Sequence, residues 1–181
     1  MGPSKARRKV PRRAIVYGIV FGLIVLIILS AVTTVLNELA RNGGGTGLAP
    51  DFTLDDLEGN IVTLSQLRGR PVLLDFMNTT SSDCKKDMPT LVRLNGNYSQ
   101  KGIVILSITL GGETAPEMKK YLQAYGASWS GLLGTNPIKK DYDVKVLPTY
   151  FMVDSNGAMK ATLPGSQSYD SLEDLIESSL S

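Results

Sequence analysis

The pattern of hydrophobic and polar positions divides the chain into an apolar stretch near its start and a longer segment of alternating strand and helix signals. Residues 14–36 are 23 consecutive residues without a charged side chain. As a helix rising 1.5 Å per residue, this stretch spans roughly 34 Å, enough for a bilayer core of about 30 Å. Helices buried in protein cores rarely carry so long an apolar run. The pattern therefore predicts one transmembrane anchor over residues 14–36.

The distribution of charge predicts how this anchor is oriented. Residues 1–41 carry seven Lys or Arg and one acidic residue, a net charge of +6, whereas the rest of the chain carries 12 basic and 16 acidic residues, a net charge of −4. Basic residues before the span predict a cytoplasmic tail over residues 1–13 and an extracytoplasmic location for everything after the anchor. The run is too long, and lacks the small-residue site, for a cleaved signal peptide, although Arg12 and Arg13 leave a twin-arginine signal open. The negative remainder does not predict binding to nucleic acid.

After a flexible, glycine-containing linker over residues 37–48, the pattern predicts one α/β domain over residues 49–181. Its order is a β-hairpin, then βαβα, then ββα, which predicts a mixed central sheet with helices on both faces. Ser171 is the predicted N-cap of the last helix. The predicted strands are 52–54, 61–64, 72–77, 103–109, 149–153 and 158–163, and the predicted helices are 81–98, 115–125, 136–142 and 171–180.

Composition excludes several kinds of chemistry. The chain has no histidine and a single cysteine, Cys84. Ser-His-Asp and Cys-His nucleophiles, imidazole-bound metals, internal disulfides and multi-cysteine metal sites are therefore ruled out. We expect neither a metal nor a cofactor. Carboxylate, hydroxyl, lysine or single-thiol chemistry remains.

Six segments of the part after the linker stand out together: APDFTL (49–54), LSQLRG (64–69), VLLDF (72–76), CKKDMP (84–89), LPT (147–149) and VDSNG (153–157). In this order and spacing, they resemble the membrane-anchored thioredoxin-like proteins of the TlpA/ResA type, in the AhpC/TSA–Redoxin superfamily. The resemblance covers roughly residues 49–180 and implies a thioredoxin-like fold with an added N-terminal β-hairpin.

The chain departs from this family at the redox motif. Where the family has Trp-Cys-x-x-Cys, the same register here reads Thr80-Ser81-Ser82-Asp83-Cys84. Ser81 thus stands in the position of the attacking cysteine, and only the second cysteine remains. A helix N-terminus lowers the pKa of a cysteine thiol, whereas a serine hydroxyl there stays protonated and cannot exchange with a disulfide. Ordinary two-cysteine turnover is therefore excluded, whether the serine is natural or introduced.

The resemblance also implies further site residues. Asp75 matches an acid that lies behind the motif in thioredoxins and takes the proton of the second cysteine. The alternative is a strand-end aspartate that binds water or a backbone group. The loop Leu147-Pro148-Thr149 matches a substrate-binding loop with a cis-proline, and Thr80 belongs to the same surface. Trp129 is expected to contribute packing only.

Three functions follow. The first is an extracytoplasmic thiol–disulfide oxidoreductase, disabled or altered at Ser81, whose partners are protein thiols and disulfides or a membrane redox protein. The second is an antioxidant monothiol peroxidase, because peroxiredoxins place Thr or Ser three residues before their reactive cysteine. However, Met77 stands where peroxiredoxins have proline, and no arginine follows Arg93. The third is a non-catalytic module that binds a partner in the groove at Pro148. Redox direction and oligomeric state stay open.

Overall fold

The computed structural model describes residues 22–33 and 47–180, and the chain divides into two compact units, residues 1–42 and 43–181. In the first unit, residues 22–33 form a helix whose side chains are exposed. Among the described residues, no helix combines the length and apolarity needed to cross a membrane. The predicted tail 1–13, the ends of the predicted anchor and most of the predicted linker lie outside the described residues.

The strands of the second unit are β1 (Thr53–Asp55), β2 (Ile61–Thr63), β3 (Val72–Met77), β4 (Val104–Thr109), β5 (Ser130–Leu133), β6 (Thr149–Val153) and β7 (Met159–Pro164). Five of them form a mixed sheet in the order β5-β4-β3-β6-β7. The strand and helix pattern predicted a mixed sheet but not its strand order. Strands β3, β4 and β5 are parallel, and β6 runs antiparallel to both β3 and β7. A separate antiparallel hairpin, β1-β2, precedes this sheet.

Helices cover both faces of the sheet. Of the four α-helices described between residues 47 and 180, the first, second and fourth contribute buried side chains to one core cluster. The third contributes to the cluster on the opposite face, together with the hairpin. The helices are α1 (Ser82–Tyr98), α2 (Ala115–Tyr125), α3 (Asn136–Asp141) and α4 (Tyr169–Leu180), with short 3-10 helices at Leu64–Leu67 and Ser99–Lys101.

The central strand β3 is buried along its whole length, which explains its continuous apolar sequence. Leu73 and Met77 pack in the cluster with α1, whereas Leu74 and Phe76 pack in the other cluster. Because side chains alternate along a strand, Asp75 shares the face of Leu73 and Met77. The alternation therefore directs the one carboxyl group of β3 towards helix α1.

Two local features differ from the sequence predictions. Strand β5 was not predicted, because its four residues, SGLL, are short and contain a glycine. The last helix begins at Tyr169 rather than at Ser171. The hydroxyl of Ser168 accepts a hydrogen bond from the Ser171 N–H at 3.1 Å. Ser168 therefore caps the helix, and the prediction of Ser171 as N-cap was wrong.

Replacing two different glycines with alanine is predicted to change the stability of the domain in opposite directions. A Cβ at Gly134 would lie 2.3 Å from the carbonyl oxygen of Thr109 and 2.8 Å from Cδ2 of Leu110. Because backbone cannot move aside cheaply, we predict that Gly134→Ala destabilises the domain by about 1–3 kcal/mol. A Cβ at Gly96, in helix α1, would meet nothing within 4 Å. The matched control Gly96→Ala should therefore stabilise by about 0.5–1 kcal/mol.

Denaturant unfolding of the two variants and the parent chain measures both changes. Equal stability of Gly134→Ala and the parent would contradict the close approach of the two backbone segments.

Candidate redox site around Cys84

Cys84 lies in the first turn of helix α1 and is 3% exposed. Ser81 is the N-cap residue, and its hydroxyl accepts a hydrogen bond from the Cys84 N–H at 3.3 Å. Burial raises the pKa of the Cys84 thiol, and the negative charges of Asp75 and Asp87 raise it further. Hydrogen bonds with the Asn78 backbone and the Ser81 side chain partly oppose this. The thiol is thus held in its protonated form and needs a base before it can act as a nucleophile.

Asp75 is a buried carboxyl group in the middle of the sheet, 2% exposed. It pairs across the sheet with Ser107 on β4 and with Tyr150 on β6. The Ser107 hydroxyl donates to Oδ2 at 2.8 Å, whereas Oδ1 is buried without a hydrogen-bond partner among the described residues. Burial raises the pKa of Asp75 from 3.8 to about 7, with Ser107 acting in the opposite direction. Asp75 can therefore gain or lose a proton near neutral pH.

A second buried carboxyl group, Asp87, lies three residues after Cys84 on the same helix and is 2% exposed. Unlike Asp75, it is fully hydrogen-bonded. Its Oδ2 accepts from the Tyr150 hydroxyl at 2.9 Å and from the Gln167 N–H at 2.9 Å, and its Oδ1 accepts from the Ser166 hydroxyl at 2.5 Å. These bonds tie α1 to the loop after β7.

Asp87 was not predicted as a site residue from the sequence. The available signal was its spacing, because residues three apart on a helix lie on one face, and the face of Cys84 is otherwise apolar.

The loop between β3 and α1 is held by side chains on both sides. Oδ1 of Asn78 accepts hydrogen bonds from the Ser81 N–H at 2.7 Å and from the Thr80 hydroxyl at 3.2 Å. Oε1 of Glu113, which lies just before α2, accepts from the Thr79 N–H at 2.7 Å and from its hydroxyl at 3.0 Å. These contacts fix the direction in which the chain enters helix α1 and leave Thr80 exposed.

The predicted substrate loop lies at the end of β6. The peptide bond between Leu147 and Pro148 is cis, as predicted. Because Thr149 pairs with Phe76 in antiparallel register, Pro148 lies opposite the end of β3, from which the loop to Ser81 departs. Leu147 is half-buried and packs against the core cluster that contains Cys84.

Thr149 and Pro148 are both buried. The Thr149 hydroxyl donates to the Val146 carbonyl at 2.7 Å, and the Pro148 carbonyl accepts from the Gly165 N–H at 2.8 Å. Of the three predicted substrate-loop residues, Leu147 is the one with exposed side-chain surface, whereas Pro148 and Thr149 are buried and hold the loop in place.

The three predicted catalytic residues lie in one region of the domain. Cys84, Ser81 and Asp75 lie at the N-terminus of α1 and the strand beneath it. Trp129, expected only to pack, also reaches this site, because its indole N–H donates to the Ser107 hydroxyl at 2.9 Å. Among residues 22–33 and 47–180, no group of three or more acidic or cysteine side chains is placed to hold a metal ion.

Comparison with known proteins identifies the family. Residues 47–162 match the model of the AhpC/TSA family. The chain is 32% identical over 131 residues to the thiol-disulfide oxidoreductase ResA of Geobacillus kaustophilus, covering 72% of this chain and 75% of that protein. It is 29% identical over 129 residues to ResA of Bacillus subtilis, covering 71% and 72%.

Solved structures show the same fold. The thioredoxin domain of a thiol-disulfide oxidoreductase from Bacteroides vulgatus superposes with a TM-score of 0.64 at 26% identity, covering 72% of this chain and 96% of that one. A thioredoxin family protein from Chlorobium tepidum superposes with a TM-score of 0.68 at 19% identity, covering 76% and 98%. The chain thus belongs to the AhpC/TSA family, as a ResA-like thiol-disulfide oxidoreductase of the thioredoxin fold.

The raised pKa of Asp75 predicts a specific dependence of stability on pH. A carboxyl whose pKa rises on folding favours the folded state when protonated, so this contribution is complete below 3.8 and is lost as pH rises to about 7. Asp75→Asn removes the titration. We predict that the variant gains stability over the parent as pH rises, by on the order of 3 kcal/mol at pH 8 relative to pH 4. Unfolding curves at several pH values measure this, and parallel curves for parent and variant would contradict a buried, titrating Asp75.

Proposed function

We propose that this chain is a membrane-anchored, extracytoplasmic thiol–disulfide oxidoreductase of the ResA type in which Ser81 occupies the position of the attacking cysteine. The observation that carries the proposal is the arrangement of Ser81, Cys84 and Asp75. Ser81 caps helix α1, Cys84 lies buried in its first turn, and Asp75 titrates beneath it. This arrangement supports a dithiol-type site in which the hydroxyl of Ser81 stands in the position of one thiol.

The chemistry of such a site has two steps. In the first, a thiolate at the helix N-terminus attacks a partner disulfide, forming a mixed disulfide and releasing one partner thiolate. In the second, Asp75 takes the proton of Cys84, and the Cys84 thiolate attacks the mixed disulfide. This forms an intramolecular disulfide and releases the second partner thiolate. Ser81 cannot perform the first step, whereas the second step requires only Cys84 and Asp75, both of which are present.

Location and partners follow from charge and apolar pattern together with the relatives. The basic tail 1–13 and the apolar stretch 14–36 support an anchor with a cytoplasmic N-terminus. The ResA relatives are named as thiol-disulfide oxidoreductases, which supports protein thiols and disulfides, or a membrane redox protein, as partners. The folded part carries a net charge of −4 after residue 41, which does not favour nucleic acid.

The peroxidase alternative receives little support from the site. A peroxidatic cysteine needs an accessible thiolate, because peroxide attacks the deprotonated sulfur. Cys84 is 3% exposed and burial raises the pKa of its thiol. The non-catalytic binding module needs no chemistry at Cys84, so the exposure and pKa of this thiol do not test it. The experiment below distinguishes it from the oxidoreductase.

Restoring the missing sulfur tests the proposal. We predict that Ser81→Cys raises dithiol-dependent reduction of a protein disulfide such as insulin by about 10³-fold or more over the parent, because it supplies the absent nucleophile. The matched control is Ser82→Cys, which adds a second thiol one residue inside the helix rather than at its cap. This control should stay at the parent's rate.

Two results would contradict the proposal. One is a folded Ser81→Cys variant with no more turnover than Ser82→Cys. The other is binding of a partner protein that is unchanged by Cys84→Ala in the parent while Ser81→Cys gains no turnover, which would instead favour the non-catalytic module.

A further inference from the structure

A hydrogen-bonded chain of three side chains crosses the sheet beneath the candidate redox site. Trp129, immediately before β5, donates from Nε1 to the Ser107 hydroxyl oxygen at 2.9 Å. Ser107, on β4, donates to Oδ2 of Asp75 on β3 at 2.8 Å. Ser107 is fully buried and Asp75 nearly so, whereas Trp129 is half-buried. The chain thus leads from the partly exposed edge of the sheet to its centre.

The donors and acceptors in this hydrogen-bonded series follow from the groups present when Asp75 is ionised. An indole N–H can only donate, so the Ser107 oxygen accepts from Trp129. A carboxylate can only accept, so the hydroxyl proton of Ser107 goes to Oδ2 of Asp75. While Ser107 keeps this bond, Oδ1, which is buried without a partner among the described residues, is the oxygen free to take a proton.

Among the groups around Asp75, the hydrogen bond from Ser107 is the main one that stabilises the ionised carboxylate. The titratable groups acting on it or subject to its charge are Cys84 and Asp87 on α1, Tyr121 on α2 and Tyr150 on β6. All four are acids, neutral when protonated and negative when ionised, so none of them supplies a positive charge that would stabilise the Asp75 carboxylate. Between residues 47 and 180, the ion pairs are Lys119–Glu58 and Lys145–Asp143, and neither involves Asp75. Within the same range, Ser107 is the one hydrogen-bond donor to the Asp75 carboxylate.

We propose that Trp129 and Ser107 are positioning residues of the redox site, which direct the exchangeable proton of Asp75 to Oδ1 and stabilise its ionised form. The proposal rests on the proposed function in one respect, namely that Asp75 exchanges this proton with Cys84. The proton transfer itself needs no further reactant: the Cys84 thiol loses a proton, and Oδ1 of the carboxylate gains it.

The same chain makes Trp129 a reporter of the charge on Asp75. Trp129 is the single tryptophan in the sequence, so all emission excited at the red edge of tryptophan absorption comes from this residue. Ionisation of Asp75 strengthens the bond from Ser107, which in turn polarises the bond from the indole N–H.

The test is a fluorescence titration of the full chain from about pH 5 to about pH 9, around the neutral range in which a perturbed carboxyl titrates. We predict a change in Trp129 emission with a midpoint at about pH 7. Asp75→Asn should abolish the change, and Ser107→Ala should reduce its amplitude to near zero. The matched control is Ser128→Ala, adjacent to Trp129, where the hydroxyl binds Asn95 rather than Ser107. This control should keep the parent midpoint.

A second measurement follows Asp75 directly and includes the loss of the indole donor. The side-chain carboxyl carbon of Asp75 is titrated by NMR in the parent, Ser107→Ala and Trp129→Phe. Because the hydrogen bond from Ser107 lowers the pKa of Asp75, we predict a higher midpoint in Ser107→Ala and a smaller rise in Trp129→Phe. Trp129→Phe keeps an aromatic ring in place, so a packing role alone would leave the midpoint unchanged.

The outcomes separate this inference from the proposed function. Unchanged midpoints in Ser107→Ala and Trp129→Phe overturn the positioning role, whatever the enzyme does. If the midpoints shift as predicted, the pH profile of turnover in the Ser81→Cys background decides the link to Cys84. A profile that shifts with the Asp75 midpoint supports both proposals. A pH profile of turnover that is the same with and without Asp75→Asn overturns the role of Asp75 in the proposed function. The hydrogen bonds from Trp129 through Ser107 to Asp75 would still stand in that case.

Discussion

The candidate redox site depends on the burial of one carboxyl group, that of Asp75, at the centre of the sheet. Asp75 has a single hydrogen-bond donor among the described residues and no cation in an ion pair with it. A buried charge without an oppositely charged partner is costly, so burial raises the pKa of Asp75 to about 7 and the carboxyl stays protonated below that pH. Such a cost is retained where a proton must be exchanged. Under the proposed function, Asp75 takes its proton from Cys84, a thiol whose own pKa is raised by burial and by the neighbouring carboxylates.

The rest of the domain places these two groups together. Parallel pairing of β3 with β4 brings Ser107 beside Asp75, and antiparallel pairing with β6 brings Tyr150 to its other side. Tyr150 then donates to Asp87, which fastens helix α1 to the loop after β7. Hydrogen bonds to Asn78 and Glu113 hold the loop that enters α1. The site is thus assembled from residues distant in sequence, with the helix N-terminus fixed from several directions.

Much of the fold was predictable because its signals are local. The buried run of β3 and the helices predicted over residues 81–98 and 115–125 are each encoded by neighbouring residues. Cys84 stood out as the single cysteine, and Asp75 was identified through a family resemblance. The comparisons confirm the family, whereas the roles of the two residues stay predictions. Asp87, Ser107 and Trp129 were missed as site residues because their contacts depend on strand register and tertiary packing. A serine within an apolar strand and a lone tryptophan carry no local sign of a shared hydrogen bond.

The most direct test is the pKa of the Cys84 thiol, measured by thiolate absorbance in the full chain, where this is the single cysteine. The charge on Asp75 raises this pKa, so the account predicts a lower thiol pKa in Asp75→Asn than in the parent. The exposed carboxylate of Asp83, adjacent to Cys84, is the matched comparison, because solvent screens its charge. A thiol pKa that falls in Asp75→Asn and changes less in Asp83→Asn would agree with the account. Equal pKa values in the parent and Asp75→Asn would contradict it.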